Sequence, residues 1–111
     1  MRAIRCSHYG PPETLVVETL PDVEPSAGEV AIEVKAASVN FPDVLVIENK
    51  YQFEPPLPFT PGAEVAGVVR AVGDGVTRLR PGMPVAAYVR VGGFAAWVSP
   101  RWRSAKRSAR E

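Results

Sequence analysis

Scarcity is the first information in this chain of 111 residues: it holds one cysteine, Cys6, and one histidine, His8. A single thiol excludes an internal disulfide and any metal site built from several cysteines. His8 stands beside the turn cluster Tyr9-Gly10-Pro11-Pro12. With no nucleophile and supporting acid near it, His8 reads as an exposed turn residue rather than a catalytic base. No apolar run approaches the ~20 residues of a membrane-spanning helix. The opening MRAIRCSHYGPP lacks the continuous apolar core of a secretory signal. These features together imply a cytoplasmic protein without membrane contact. A Gly-x-Gly-x-x-Gly loop is also missing, and Gly73-Asp74-Gly75 joins two β segments instead of opening a helix. A dinucleotide's pyrophosphate therefore finds no evident seat in this sequence. No repeat of fixed period is present.

What is abundant is punctuation. Twelve prolines and nine glycines fall between short valine-rich runs, the pattern of a mainly β barrel or sandwich. Strands are predicted over 1–6, 15–20, 30–39, 63–72, 85–91 and 94–98. In the clearest of these, Val30, Ile32 and Val34 alternate with Ala31, Glu33 and Lys35, so one face is buried and the other wet. The period then changes. Asn40 suits a helix cap, Pro42 its first turn and Asp43 the positive end of its dipole. A short helix is expected near 41–48, ended by a left-handed Asn49. Residues 50–59 read as loop, because Pro55, Pro56 and Pro58 cannot pair inside a sheet. Pro84 removes a backbone donor just before a strand, which puts pairing there in question.

Charge is unevenly placed. Residues 1–100 carry eight Lys/Arg and eleven Asp/Glu, whereas residues 101–111 carry five Lys/Arg and one Glu. The division predicted is a folded domain over 1–98 and a basic, disordered tail over 99–111. Contact with nucleic acid is the other reading of such a tail, but it lacks the folded frame of a nucleic-acid reader, and no nucleic-acid partner is expected. The abrupt change after Pro100 also reads as a truncated or frame-shifted end.

The series Asn40-x-x-Asp43, Lys50-Tyr51, Pro61-Gly62-x-Glu64-x-x-Gly67, Val72-Gly73 and Pro81-Gly82 resembles the medium-chain dehydrogenase/reductase superfamily. Within it, the resemblance is to the zinc-independent NADPH:quinone oxidoreductases. It implies a GroES-like partial barrel with one or two short helices, and no Rossmann domain in this chain. It also implies that a cysteine and a histidine of zinc-dependent relatives are replaced here by Asn40 and Ala63. Catalytic zinc needs three ligands from Cys, His or carboxylate, and Glu64 alone cannot hold the ion; no metal is expected.

By the same resemblance Asn40 and Tyr51 are the catalytic residues and the cofactor-binding residues on the nicotinamide side of NADPH. The acceptor would be a small quinone or enone, inside an apolar surround of Phe41, Leu45 and Phe53. A tyrosine of some relatives falls at Leu45. From the residues alone, Asn40 reads as a helix cap and Tyr51 as a half-buried loop aromatic; the catalytic roles come from the resemblance. Glu64 reads as a pocket acid or as a structural carboxylate needing donors. Two functions remain open. One is the N-terminal catalytic portion of an NADPH-dependent quinone oxidoreductase, cut before its cofactor domain, inactive alone, with homo-oligomeric full-length relatives. The other is a standalone GroES-like binding or scaffold module.

Overall fold

The computed structural model describes residues 1–108. Among the described residues seven strands and one α-helix follow one another. Strands β1 (Arg2–Arg5) and β2 (Val16–Thr19) pair antiparallel as a small separate sheet. Strands β3 (Val30–Ser38), β4 (Glu64–Val72), β5 (Pro84–Tyr88), β6 (Trp97–Val98) and β7 (Ala105–Arg107) form a second sheet in the order β6-β3-β4-β5-β7. Every pairing in it is antiparallel. Helix α1 (Phe41–Ile47) links β3 to the loop before β4. Neither sheet closes on itself, so the architecture is mainly β and GroES-like, an open partial barrel, with no Rossmann arrangement among the described residues.

Val30, Ile32, Val65, Val69 and Val85 build the main core from the inner faces of β3, β4 and β5. Ile32 and Val69 are fully buried, and each such side chain contributes roughly 1.5–3 kcal/mol. The alternation expected for β3 is not kept as burial: Val30, Ala31 and Ile32 are all buried, Glu33 and Val34 are half-buried, and Lys35–Ser38 are exposed. The start of β3 is covered from the side: the Val30 N–H donates to the Pro100 carbonyl at 3.0 Å, and Glu29 bridges Arg101. A second core, Cys6, Val46, Ile47 and Phe59, lies under α1, and Tyr51 packs against it.

Two glycines of the Pro61–Gly67 series are required by close approach. A Cβ on Gly67 would stand 2.1 Å from the Glu33 carbonyl oxygen, where β3 and β4 cross with a bulge between Val34 and Ala36. Gly62 has φ 107, and a Cβ there would meet the Phe94 ring at 2.6 Å.

Two expectations change. Pro84 does not disturb pairing: it is the first residue of β5, opposite Val68, and its carbonyl accepts from the Ser108 N–H at 2.9 Å. A proline is tolerated at that position because its missing N–H is not needed. The tail expected to be disordered from 99 is instead tied down through 107. Trp102 packs half-buried on the main core, Ala105 is buried, and β7 adds to the outer edge of β5. An unpaired edge leaves a row of backbone donors and acceptors to be satisfied, and this segment satisfies them. The rest of that tail, 109–111, lies outside the described residues. No described helix is long and apolar enough to cross a membrane.

Candidate functional site

Helix α1 places the residues singled out in the sequence. Asn40 is its N-cap, with φ −120 and ψ 159. The Asp43 carboxylate accepts the Asn40 N–H at 2.9 Å, and the Asp43 N–H donates to the Asn40 carbonyl at 3.0 Å. Such a cap contributes about 1 kcal/mol. Asn49 adopts φ 59 and the Lys50 N–H returns to the Leu45 carbonyl at 2.8 Å, so the helix ends as its sequence requires. The chain then delivers Tyr51 beside Val46 and Ile47.

The Asn40 side chain also reaches beyond the cap. Its Nδ2 donates to Ser38 Oγ at 3.1 Å and to Glu64 Oε1 at 3.2 Å, and Ser38 Oγ donates to Glu64 Oε1 at 3.0 Å. The carboxylate therefore selects the NH2 end of the amide. The same side chain faces the Asp43 N–H in the capping box, so the amide is tied to the helix start as well as to the sheet. Glu64 is exposed, and its donors are a hydroxyl and an amide rather than an arginine. In the sheet, Ser38 pairs with Glu64 and Glu64 with Tyr88, a row across β3, β4 and β5.

Tyr51 lines a cleft of about 510 Å³ together with Pro42, Val46, Ala63, Tyr88 and Arg90. Asn40 does not line it; the cap bond to Asp43, which does, connects the two. Phe53 forms part of the wall, but Phe41 is 73% exposed and neither it nor Leu45 reaches the cleft. The apolar surround is thus one of the three residues expected. Phe41 is the first residue of α1, and its side chain leaves the packed face that Val46 and Ile47 occupy. A shallower depression crosses the outer sheet face over Ala36, Ala66 and Ala86, and Tyr88 borders both.

Tyr88 and Arg90 had no role in the sequence reading. Alternation along β5 does send Tyr88 away from the core, with Val85 and Ala87 buried between exposed neighbours. Nothing in that pattern identifies what lies beside it. The Arg90 guanidinium stacks over the Phe53 ring, 4.2 Å from its centre.

Titration is perturbed elsewhere. The hydrogen bond from Arg70, then that from Lys35, holds the Glu33 carboxyl below its ordinary value, and burial pushes the Cys6 thiol up. Neither residue lines the cleft. Among the described residues no three His, Cys, Asp or Glu side chains gather as a metal site.

Comparison with known proteins bears on this geometry. The family model of the alcohol dehydrogenase GroES-like domain matches residues 26–102. The quinone oxidoreductase of Rattus norvegicus is 39% identical over 99 residues, covering 86% of this chain and 30% of the relative. The structure of the human synaptic vesicle membrane protein VAT-1 homolog-like protein superposes with a TM-score of 0.94 at 31% identity, covering 99% of this chain and 35% of that one. Escherichia coli quinone oxidoreductase complexed with NADPH gives 0.91 at 28% identity, over 96% and 33%. The chain spans about a third of the length of these relatives.

Proposed function

The chain belongs to the alcohol dehydrogenase GroES-like domain family, and on that premise we propose that it forms the acceptor side of an NADPH-dependent quinone or enone reductase site. The observation that carries this reading is a phenol, Tyr51, on the wall of a cleft whose neighbouring Ala63 offers no metal ligand. The naming of relatives as quinone oxidoreductases supports it.

The residues present fit one end of NADPH. The Asn40 amide, anchored through Nδ2 by Glu64 and Ser38, would offer the second lone pair of its oxygen to an amide N–H on the nicotinamide side. The phosphates fit nothing here. Helix α1 has seven residues, and its first turn already carries the Asp43 carboxylate, which repels an anion. The proposal therefore requires a nucleotide-binding domain alongside this one. When bound, NADPH supplies the hydride. Tyr51 donates a hydrogen bond to the acceptor oxygen on which negative charge develops, and that oxygen takes up a proton to complete reduction. The cleft walls hold the acceptor in line, and lost alignment alone removes several orders of magnitude in rate.

The test joins the chain to the nucleotide-binding domain of a close relative and measures NADPH-dependent quinone reduction. The chain alone is expected to turn over no quinone, and the joined protein to do so. Tyr51→Phe should then lower kcat more than it weakens NADPH binding. Kinetics unchanged by both Asn40→Ala and Tyr51→Phe would refute their roles, and a folded joined protein that reduces no quinone would favour the scaffold reading.

A further inference from the structure

We propose that Arg90 is a specificity residue of this cleft, making it prefer a planar acceptor that carries an anionic substituent such as a carboxylate or sulfonate. The inference rests on the acceptor reading above and names the substrate class for that site.

Three observations converge on Arg90. The first is its backbone. Arg90 has φ 67, and the Val91 N–H returns to the Val89 carbonyl at 2.8 Å. A positive φ closed by a bond between residues two apart is a γ-turn of the rare, strained kind. A side chain other than glycine pays roughly 1–3 kcal/mol to stay in such a region, and such outliers cluster at ligand-holding sites. Glycine was available to the fold here, since Gly92 and Gly93 follow within the same turn.

The second is its side chain. The guanidinium is pinned over Phe53 at 4.2 Å, which restricts an otherwise flexible arm. Among the described residues no carboxylate lies within 4.0 Å of it, so its donors remain available. A planar fork of donors matches a carboxylate or sulfonate edge with two parallel bonds.

The third is the balance of the cleft. Its acidic side chains are Asp43 and Glu54. Asp43 is buried and already accepts the Asn40 N–H. Glu54 is exposed, and no ion pair holds it among the described residues. Asp43 is thus turned into the helix cap, and Arg90 is the cleft cation whose donors face solvent. Beside it stand Tyr51 and Tyr88, suited to a flat ring with a polar oxygen.

The experiment uses the 111-residue chain itself and calorimetric titration with two probes of one shape, anthraquinone-2-sulfonate and neutral 2-(hydroxymethyl)anthraquinone. The sulfonate is expected to bind more tightly, with an advantage that shrinks as salt rises. Arg90→Gln should weaken sulfonate binding about tenfold and leave the neutral probe within about twofold. Arg90→Gly guards against misfolding: glycine suits the positive φ, so this variant should melt no lower than the parent while losing the same preference. Equal binding of both probes to parent and variants would overturn the role of Arg90 and leave the acceptor site standing. Failure of the sulfonate while the neutral probe binds would remove the role of Arg90 alone; failure of both probes, repeated with the chain joined to a nucleotide-binding domain, would remove the acceptor reading as well. Binding of NADPH that Arg90→Gln abolishes, with sulfonate binding untouched, would assign the guanidinium to cofactor phosphates and refute the proposal.

Discussion

Gly67→Ala should strongly destabilise this domain through one methyl group. The added Cβ would stand 2.1 Å from the Glu33 carbonyl oxygen and 2.9 Å from Ile32 Cγ2. Carbon and oxygen without a covalent link approach to about 3.3 Å, so β3 and β4 must part by roughly 1 Å. A ladder bond stretched by that much passes from about 2.9 Å to beyond bonding range. Losing about two such bonds costs ~2 kcal/mol, and forcing volume into a packed interface adds ~1–3 kcal/mol. The sum, about 3–5 kcal/mol, is a large share of the ~5–15 kcal/mol that holds a domain together. Urea unfolding followed by tryptophan fluorescence reads it directly, because Trp97 lies in β6 against β3. With a slope of ~1–3 kcal/mol per molar urea, the midpoint should fall by about 2 M. Gly75→Ala is the comparison: nothing lies within 4 Å of its added methyl, so only the backbone cost of ~1 kcal/mol applies. If Gly67→Ala lowers the midpoint no further than Gly75→Ala, the steric account of the β3–β4 crossing is wrong. The consequence reaches the site, since the same register sets Glu64 opposite Ser38.

Two further outcomes are expected. The Glu33 carboxyl is depressed by Arg70 and Lys35, so its contribution is present above the ordinary carboxyl value and lost as pH falls through the lowered one. Melting curves of Glu33→Gln and parent should differ slightly at pH 7 and converge toward pH 3; a gap that widens on acidification would contradict this. Burial raises the Cys6 thiol, which is 1% exposed. Iodoacetamide at pH 8 should therefore label the native chain far more slowly than the urea-unfolded one, and equal rates would show the thiol to be accessible.

Local signals in the sequence determined the elements. The alternation of Val30, Ile32 and Val34, the Asn40-Pro42-Asp43 helix start and the left-handed Asn49 each act within a few residues, and each has its place in the structure. The Pro61–Gly67 series was legible as a turn and strand, yet the reason for its glycines was not, because Glu33 and Phe94 come to them from other strands and loops. Tertiary structure alone decided the cleft. Tyr88 and Arg90 reach Tyr51 only once β5 pairs with β4, and Glu64 meets Asn40 only once β4 pairs with β3. Residues 105–107 read as a basic tail because Lys106 and Arg107 face water, while buried Ala105 and the open edge of β5 make them a strand. Side-chain periodicity records which way a residue points. What it meets there depends on pairing between distant segments, which no short stretch encodes.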